Sequence, residues 1–174
     1  RLEKLEKAYS SDSSLIVAGK GGSGVMHFVD SIDKAVIKNK KKLVLGYSDV
    51  TALVNFLSFE NGMIGLHGPN ALKELDDLSF NFLKKALMME DYNIGFEKSQ
   101  ILNSHVGKIE GQIFGGNLVR FVDLVRSFPG KFDLNDKILF FECNEKNRYE
   151  LFNLFNLLKL YSSFNPKAIL LGGF

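Results

Sequence analysis

The stretch Lys42-Leu43-Val44-Leu45-Gly46-Tyr47-Ser48-Asp49-Val50-Thr51-Ala52-Leu53 decides the fold. Leu43 to Leu45 is an apolar run with no polar face, as expected of a strand covered on both sides of a parallel sheet. Gly46 allows a sharp turn. From Val50, the residues Leu53, Val54 and Leu57 recur at helical spacing, so the chain reads as strand, tight turn and helix with Ser48 at the turn. A helix N-terminus presents free N–H groups and a positive dipole end, which favour a developing oxyanion beside such a hydroxyl. This is the logic of a nucleophile elbow, although the G-x-S-x-G lettering is absent. The competing reading is that Ser48 or Asp49 simply caps the helix, since both are favoured N-cap types.

Outward from this stretch, strand and helix patterns alternate, which predicts an α/β fold with crossover helices. Leu2, Leu5, Ala8 and Tyr9 mark an amphipathic helix. Leu15 to Ala18 is a strand that runs into Gly19-Lys20-Gly21-Gly22-Ser23-Gly24, after which Val25, Phe28, Val29 and Ile32 predict a helix. Met63 to Leu66 predicts a third strand, closed by His67-Gly68-Pro69-Asn70. A helical pattern follows from about 72 to 89. Alternation at Ile109, Gly111 and Ile113 is strand-like, Gly115-Gly116-Asn117 opens a helix, Lys137 to Phe141 is a buried strand ending at Glu142, and a helix over 149–161 precedes a last strand after Pro166. The change of character between Tyr92 and Ile113 places a boundary there, with units at 1–90 and 111–174 joined by 91–110.

Bulk properties narrow the function. Lys plus Arg number 22 against 20 Asp plus Glu in 174 residues, a net charge of +2 that predicts no nucleic-acid face. The Lys38, Lys40, Lys41, Lys42 cluster reads as a solvated loop. A single cysteine, Cys143, excludes an internal disulfide framework and fits a reducing compartment. No apolar run approaches the roughly 20 residues that span a bilayer. The chain opens inside a helix and stops just after an apolar run, so a longer natural protein is expected.

Gly19, Gly21 and Gly24 satisfy G-x-G-x-x-G between a strand and a helix, the setting of a dinucleotide fingerprint. The fingerprint also demands an acid at the end of the next strand, and that strand ends at Gly46-Tyr47-Ser48 instead. A nucleotide or small-ligand binding module remains the rival to a hydrolase. Glycine N–H groups facing the serine could equally form half of an oxyanion hole. No Cys/His/Asp set has metal-ligand spacing.

Four segments in this order, the glycine loop, Gly46-Tyr47-Ser48-Asp49, His67-Gly68-Pro69, and Gly115-Gly116-Asn117-Leu118 followed by Ile138-Leu139-Phe140-Phe141-Glu142, together resemble the serine L,D-carboxypeptidase family, whose relatives include the microcin C immunity peptidases. The resemblance implies a flavodoxin-like or Rossmann-like N-terminal domain and a smaller mixed β/α C-terminal domain, incomplete here. It implies a Ser-His-Glu hydrolase that needs no metal or cofactor: Ser48 as nucleophile, Glu142 as the acid orienting the histidine, the backbone N–H groups of Asp49 and Gly22 as oxyanion donors, and Lys20, Gly21 and Asn117 against substrate. The histidine itself is expected beyond Phe174. Lys20 replaces the family's loop arginine, Ser23 its aromatic, and Cys143 its aspartate. The implied activity is release of terminal D-alanine from a murein tetrapeptide, by a cytoplasmic homodimer without nucleic-acid or membrane partners; the alternative is immunity to a peptidyl-nucleotide antibiotic.

The residue chemistry supports part of this independently. A serine hydroxyl needs a base, and the base needs an acid behind it. Glu142 ends an apolar strand, a costly place for a carboxylate without a partner; a surface or capping acid is its plainer reading. Of the three histidines, His67 alone sits at a strand end near the elbow and would be nominated as base on position; the resemblance makes it structural. His27 and His105 read as ordinary surface or packing residues.

Overall fold

The computed structural model describes residues 1–38, 42–88, 90, 108–161 and 163–174. Two three-stranded sheets form, each parallel throughout and each laid down in sequence order. The first holds β1 (Leu15–Val17), β2 (Leu43–Gly46) and β3 (Gly65–His67); the second holds β4 (Ile113–Asn117), β5 (Ile138–Glu142) and β6 (Ala168–Leu171). Helices supply the connections that parallel strands require. These are α1 (Leu2–Ser10), α2 (Lys34–Lys38), α3 (Val50–Asn61), α4 (Asp77–Leu87), α5 (Leu118–Ser127) and α6 (Arg148–Lys159). The mixed α/β architecture agrees with the expected fold class.

The helix that follows the elbow joins the two sheets. Residues Val50 to Leu57 of α3 are buried without interruption, so this helix has no solvated face in that span. Val54 packs where a Cβ on Gly65 would come within 2.7 Å, and Val50 stands equally close to Gly46. These two bare glycines are what let α3 lie tightly on the first sheet. On its other side, Asn55 meets the second sheet: its Oδ1 accepts the Gly115 N–H at 2.9 Å and its Nδ2 donates to the Gly115 carbonyl at 2.7 Å. Thr51 Oγ1 accepts the Asn117 N–H at 3.0 Å. A helix buried on all sides must pair its own polar side chains, and strand backbone at β4 provides the partners. The helix stops at Gly62, which takes the left-handed conformation with φ 62°.

One core runs through both halves, from Tyr9, Val29 and Ile37 through Phe56 and Leu57 to Phe121, Leu139 and Phe141. Phe59 stacks on Phe114 with ring centroids 4.0 Å apart, adding an aromatic link between α3 and β4. The expected division into units meeting near 91–110 falls largely on residues outside the described ones.

Several local expectations are corrected. The apolar spacing at Val25, Val29 and Ile32 marks buried positions correctly, but the backbone forms two short 3₁₀ turns, Val25–His27 and Val29–Ser31, in place of one helix. Gly24 enters at φ 113° and Phe28 sits at φ −142°, so the ladder cannot continue across the pair. Lys42 does not belong to a solvated loop. It is buried, and its ammonium donates to the Ala8 carbonyl, the Ser11 carbonyl and Ser11 Oγ, closing the C-terminal end of α1. Ile109 and Gly111 precede the strand, which begins at Ile113. Gly115 and Gly116 lie within β4, and the helix starts one residue after Asn117.

Candidate active site

β2 ends at Gly46, and the backbone turns into α3 within three residues. Ser48 takes φ 61°, a left-handed conformation that costs a residue with a Cβ on the order of 1 kcal/mol or more. Such strain at a strand-to-helix turn pushes the side chain out of the chain's path. Neither Ser48 nor Asp49 caps the helix through its side chain, so the capping alternative is not what the fold uses. The Ser48 hydroxyl has no hydrogen-bond partner among the described residues.

Asp49 is engaged elsewhere. Its carboxylate is buried, with Oδ2 accepting the Val25 N–H at 3.1 Å, while Arg120 Nε approaches Oδ1 at 3.8 Å. It therefore ties the exit of the glycine loop to the start of α3. This side-chain role is separate from the oxyanion role expected of the Asp49 backbone N–H.

The glycine loop lies directly on the serine. A Cβ on Gly21 would sit 2.9 Å from Ser48 Cβ and 3.0 Å from Oγ, so only glycine permits this approach. Gly22 follows at φ 124°, and its N–H belongs to the peptide that Gly21 begins. Lys20 is on the exposed side of the loop. Asn70, buried, reinforces the turn: its Oδ1 accepts the Tyr47 N–H at 3.3 Å, and its Nδ2 lies near Gly21. The sequence points to this residue only as the end of a Gly-Pro loop. Its support of the elbow depends on β3 lying beside β2.

The second sheet brings its own carboxyl edge to the same region. Asn117 ends β4, opposite Glu142 at the end of β5. The Asn117 side chain is buried and caps α5 by accepting the Arg120 N–H at 3.3 Å. Glu142 has a side chain 19% exposed, and its Oε1 is shut from solvent without a hydrogen bond. Burial pushes its carboxyl above the usual carboxylate value, the Asn117 side chain pulls part of the way back, and the Glu145 carboxylate adds to the rise. Gly172 lies against it, where a Cβ would meet Glu142 Cβ at 3.3 Å, and the Cys143 N–H donates to the Gly173 carbonyl at 2.8 Å. Cys143 is buried in the core, consistent with a packing role.

His67, at the end of β3, stands between the sheets. Its Nε2 lies 3.9 Å from Glu142 Oε1, and Gly116 is bare where its Nδ1 and Thr51 Oγ1 converge. Burial holds its pKa below the ordinary imidazole value. The imidazole is neutral near pH 7 as a result. Sequence position suggested proximity to the elbow; the meeting with Glu142 depends on how the two sheets pack. His27 lies away from this edge, lining an open pocket of about 420 Å³ together with Ser23, Asp49, Arg120, Asp123 and Arg126. That pocket contains neither Ser48 nor Glu142. His105 lies outside the described residues.

The arrangement can therefore supply a half-buried hydroxyl over a helix start, backbone N–H groups beside it, and a half-satisfied, half-buried carboxylate at the neighbouring sheet edge. No helix among the described residues is long and apolar enough to cross a membrane.

Residues 1–68 match the family model described as the LD-carboxypeptidase N-terminal domain. A Bacillus subtilis (strain 168) protein described as "Probable murein peptide carboxypeptidase" is 26% identical over 166 residues, covering 92% of this chain and 52% of the relative. The microcin C7 self-immunity protein MccF of Escherichia coli is 27% identical over 199 residues, 96% of this chain and 58% of the relative. The chain thus spans little more than half the length of these curated relatives. Among solved structures, MccF in complex with glutamyl sulfamoyl guanosine superposes with a TM-score of 0.80 at 22% identity, covering 99% of this chain and 61% of that one. A muramoyltetrapeptide carboxypeptidase from Oxalobacter formigenes gives 0.78 at 19% identity, with 99% and 62% covered. The fold is shared with both. The glycine loop and the elbow lie inside the stretch that matches the LD-carboxypeptidase N-terminal domain, and the strand-end glutamate lies on the fold shared with these structures.

Proposed function

We propose that this chain carries the nucleophile and the orienting acid of a serine L,D-carboxypeptidase, which releases terminal D-alanine from a murein tetrapeptide. The observation that carries the reading is Ser48: strained at φ 61°, packed against Gly21, and free of any hydrogen bond that would commit its hydroxyl to structure among the described residues. Ser48 Oγ attacks the carbonyl of the L,D amide, and the backbone N–H groups of Asp49 and Gly22 take the oxyanion. The proton passes to an imidazole supplied from beyond Phe174, whose tautomer Glu142 fixes. That imidazole then protonates the departing amine of D-alanine, and water hydrolyses the Ser48 ester. Lys20, Gly21 and Asn117 are the proposed substrate contacts.

Glu142 supports the proposed role, because its carboxylate is largely withdrawn from water and incompletely paired, so an arriving N–H stabilises it. The domain division at 91–110, a homodimer and a cytoplasmic location belong to the same proposal. The names of the Bacillus and Oxalobacter relatives favour a murein peptide as substrate. The MccF relatives favour a second reading, a peptidase acting on a peptidyl-nucleotide antibiotic.

Full-length protein should release D-alanine from murein tetrapeptide, and Ser48→Ala should lower turnover by several orders of magnitude. Turnover that survives in the Ser48→Ala protein refutes the assignment. Running a peptidyl-nucleotide in parallel separates the two substrates.

A further inference from the structure

The histidine that ends β3 has a built place. Its ring stands edge-on to Phe140, with centroids 5.5 Å apart, and Nδ1 occupies the space where a Cβ on Gly116 would intrude to 2.7 Å. Nε2 points toward Glu142 Oε1 across 3.9 Å, about 1 Å more than a direct hydrogen bond. That oxygen is shut from solvent and accepts nothing from the described residues. Around the ring, β5 presents Glu142 and Phe140, β4 presents Gly116, and α3 presents Thr51. Glu142 is the titratable group among them, and Glu145 acts on Glu142 in turn.

We propose that His67 is a positioning residue for the Glu142 carboxylate: its Nε2–H closes on Oε1 and so leaves the other carboxylate oxygen aimed at the reacting imidazole. This rests on the reading of Glu142 as the orienting acid. The Asn117 side chain already bonds this carboxylate, and a second donor on Oε1 removes the rotation about the last side-chain bond that a single hydrogen bond leaves. The ring suits the task because burial keeps it neutral near pH 7, so it donates one proton without bringing a competing charge. Below its ionisation the same ring becomes a cation beside Oε1. Its charge then competes with the reacting imidazolium for the carboxylate, and turnover falls on the acid side.

The experiment uses full-length protein with murein tetrapeptide. His67→Ala should lower kcat roughly 10-fold to 100-fold with KM little changed, as loss of an orienting partner typically does. His67→Gln, which returns an N–H donor near the Nε2 position, should recover most of kcat and shift the acid limb of the pH profile. Equal loss in both variants, or wild-type kcat in His67→Ala, overturns the proposal. NMR titration of the His67 ring gives a readout without turnover: its pKa should fall further in Glu142→Gln, where the attractive carboxylate is gone. An unchanged His67 pKa in Glu142→Gln overturns the proposal even if no substrate is found. Survival of turnover in Ser48→Ala refutes the hydrolase reading alone.

Discussion

Removing the Asn55 side chain tests how the two sheets are held together. Its amide makes three hydrogen bonds in the core, to the Gly115 N–H, the Gly115 carbonyl and the Thr51 carbonyl, at 2.9, 2.7 and 2.7 Å. Asn55→Ala leaves both Gly115 groups buried without partners. A buried unpaired donor or acceptor costs about 1–3 kcal/mol, and water admitted to the new space returns part of it. The expected loss is about 2–4 kcal/mol, or roughly 4–16 °C in Tm for a chain of this length. Urea denaturation of Asn55→Ala, Asn55→Leu and Asn55→Asp separates volume from hydrogen bonding. Leucine fills the space but pairs nothing, so it should be nearly as destabilising as alanine. Aspartate keeps the shape yet turns an anionic oxygen toward two carbonyls, and should be at least as damaging. Loss below about 0.5 kcal/mol in Asn55→Ala, or tolerance of aspartate, would show that the bidentate contact does not join the sheets.

Further outcomes follow from the same geometry. Ser48→Gly should raise stability by about 1 kcal/mol in chemical denaturation while Ser48→Ala is nearly neutral, because only glycine relieves the left-handed backbone. Gly21→Ala should fold, yet lower kcat by about 10²-fold, since its Cβ meets Ser48 Oγ at 3.0 Å and displaces the hydroxyl. A steady-state assay with circular dichroism as the folding control checks this. Glu142 has a raised carboxyl pKa, so the folded state holds its proton more tightly than the unfolded chain does. Its ionisation therefore costs stability as pH rises above the ordinary value of 4.5, and costs nothing well below it. Glu142→Gln should be more stable than the parent at pH 7, with the advantage vanishing in thermal melts at acid pH.

Much of the site can be read in the linear chain because it depends on local chemistry. The turn at Gly46-Tyr47-Ser48, the apolar strand behind it and the helix after it are encoded within a dozen residues, where periodicity and glycine act directly. Gly21 and Glu142 are legible in the same way, one by a glycine cluster after a strand, the other by an acid at the end of an apolar run. Periodicity also finds the buried faces at Val25, Val29 and Ile32, although the 3₁₀ turns there depend on where Gly24 and Phe28 place the backbone.

Other features were settled only when distant segments met. Thr51 and Asn55 occupy what a single amphipathic pattern assigns to the polar face of α3, and they are buried because a second sheet covers that face. Lys42 looks like one of a run of solvated lysines until α1 folds over it and offers carbonyl acceptors. The pairing of His67 with Glu142 requires strand ends 75 residues apart in sequence to share an edge. Local preference determines where a strand stops and a helix begins, since that depends on a residue and its immediate neighbours. Which polar group loses its water, and which partner replaces it, depends on packing between elements, and no window of sequence contains both sides of that contact.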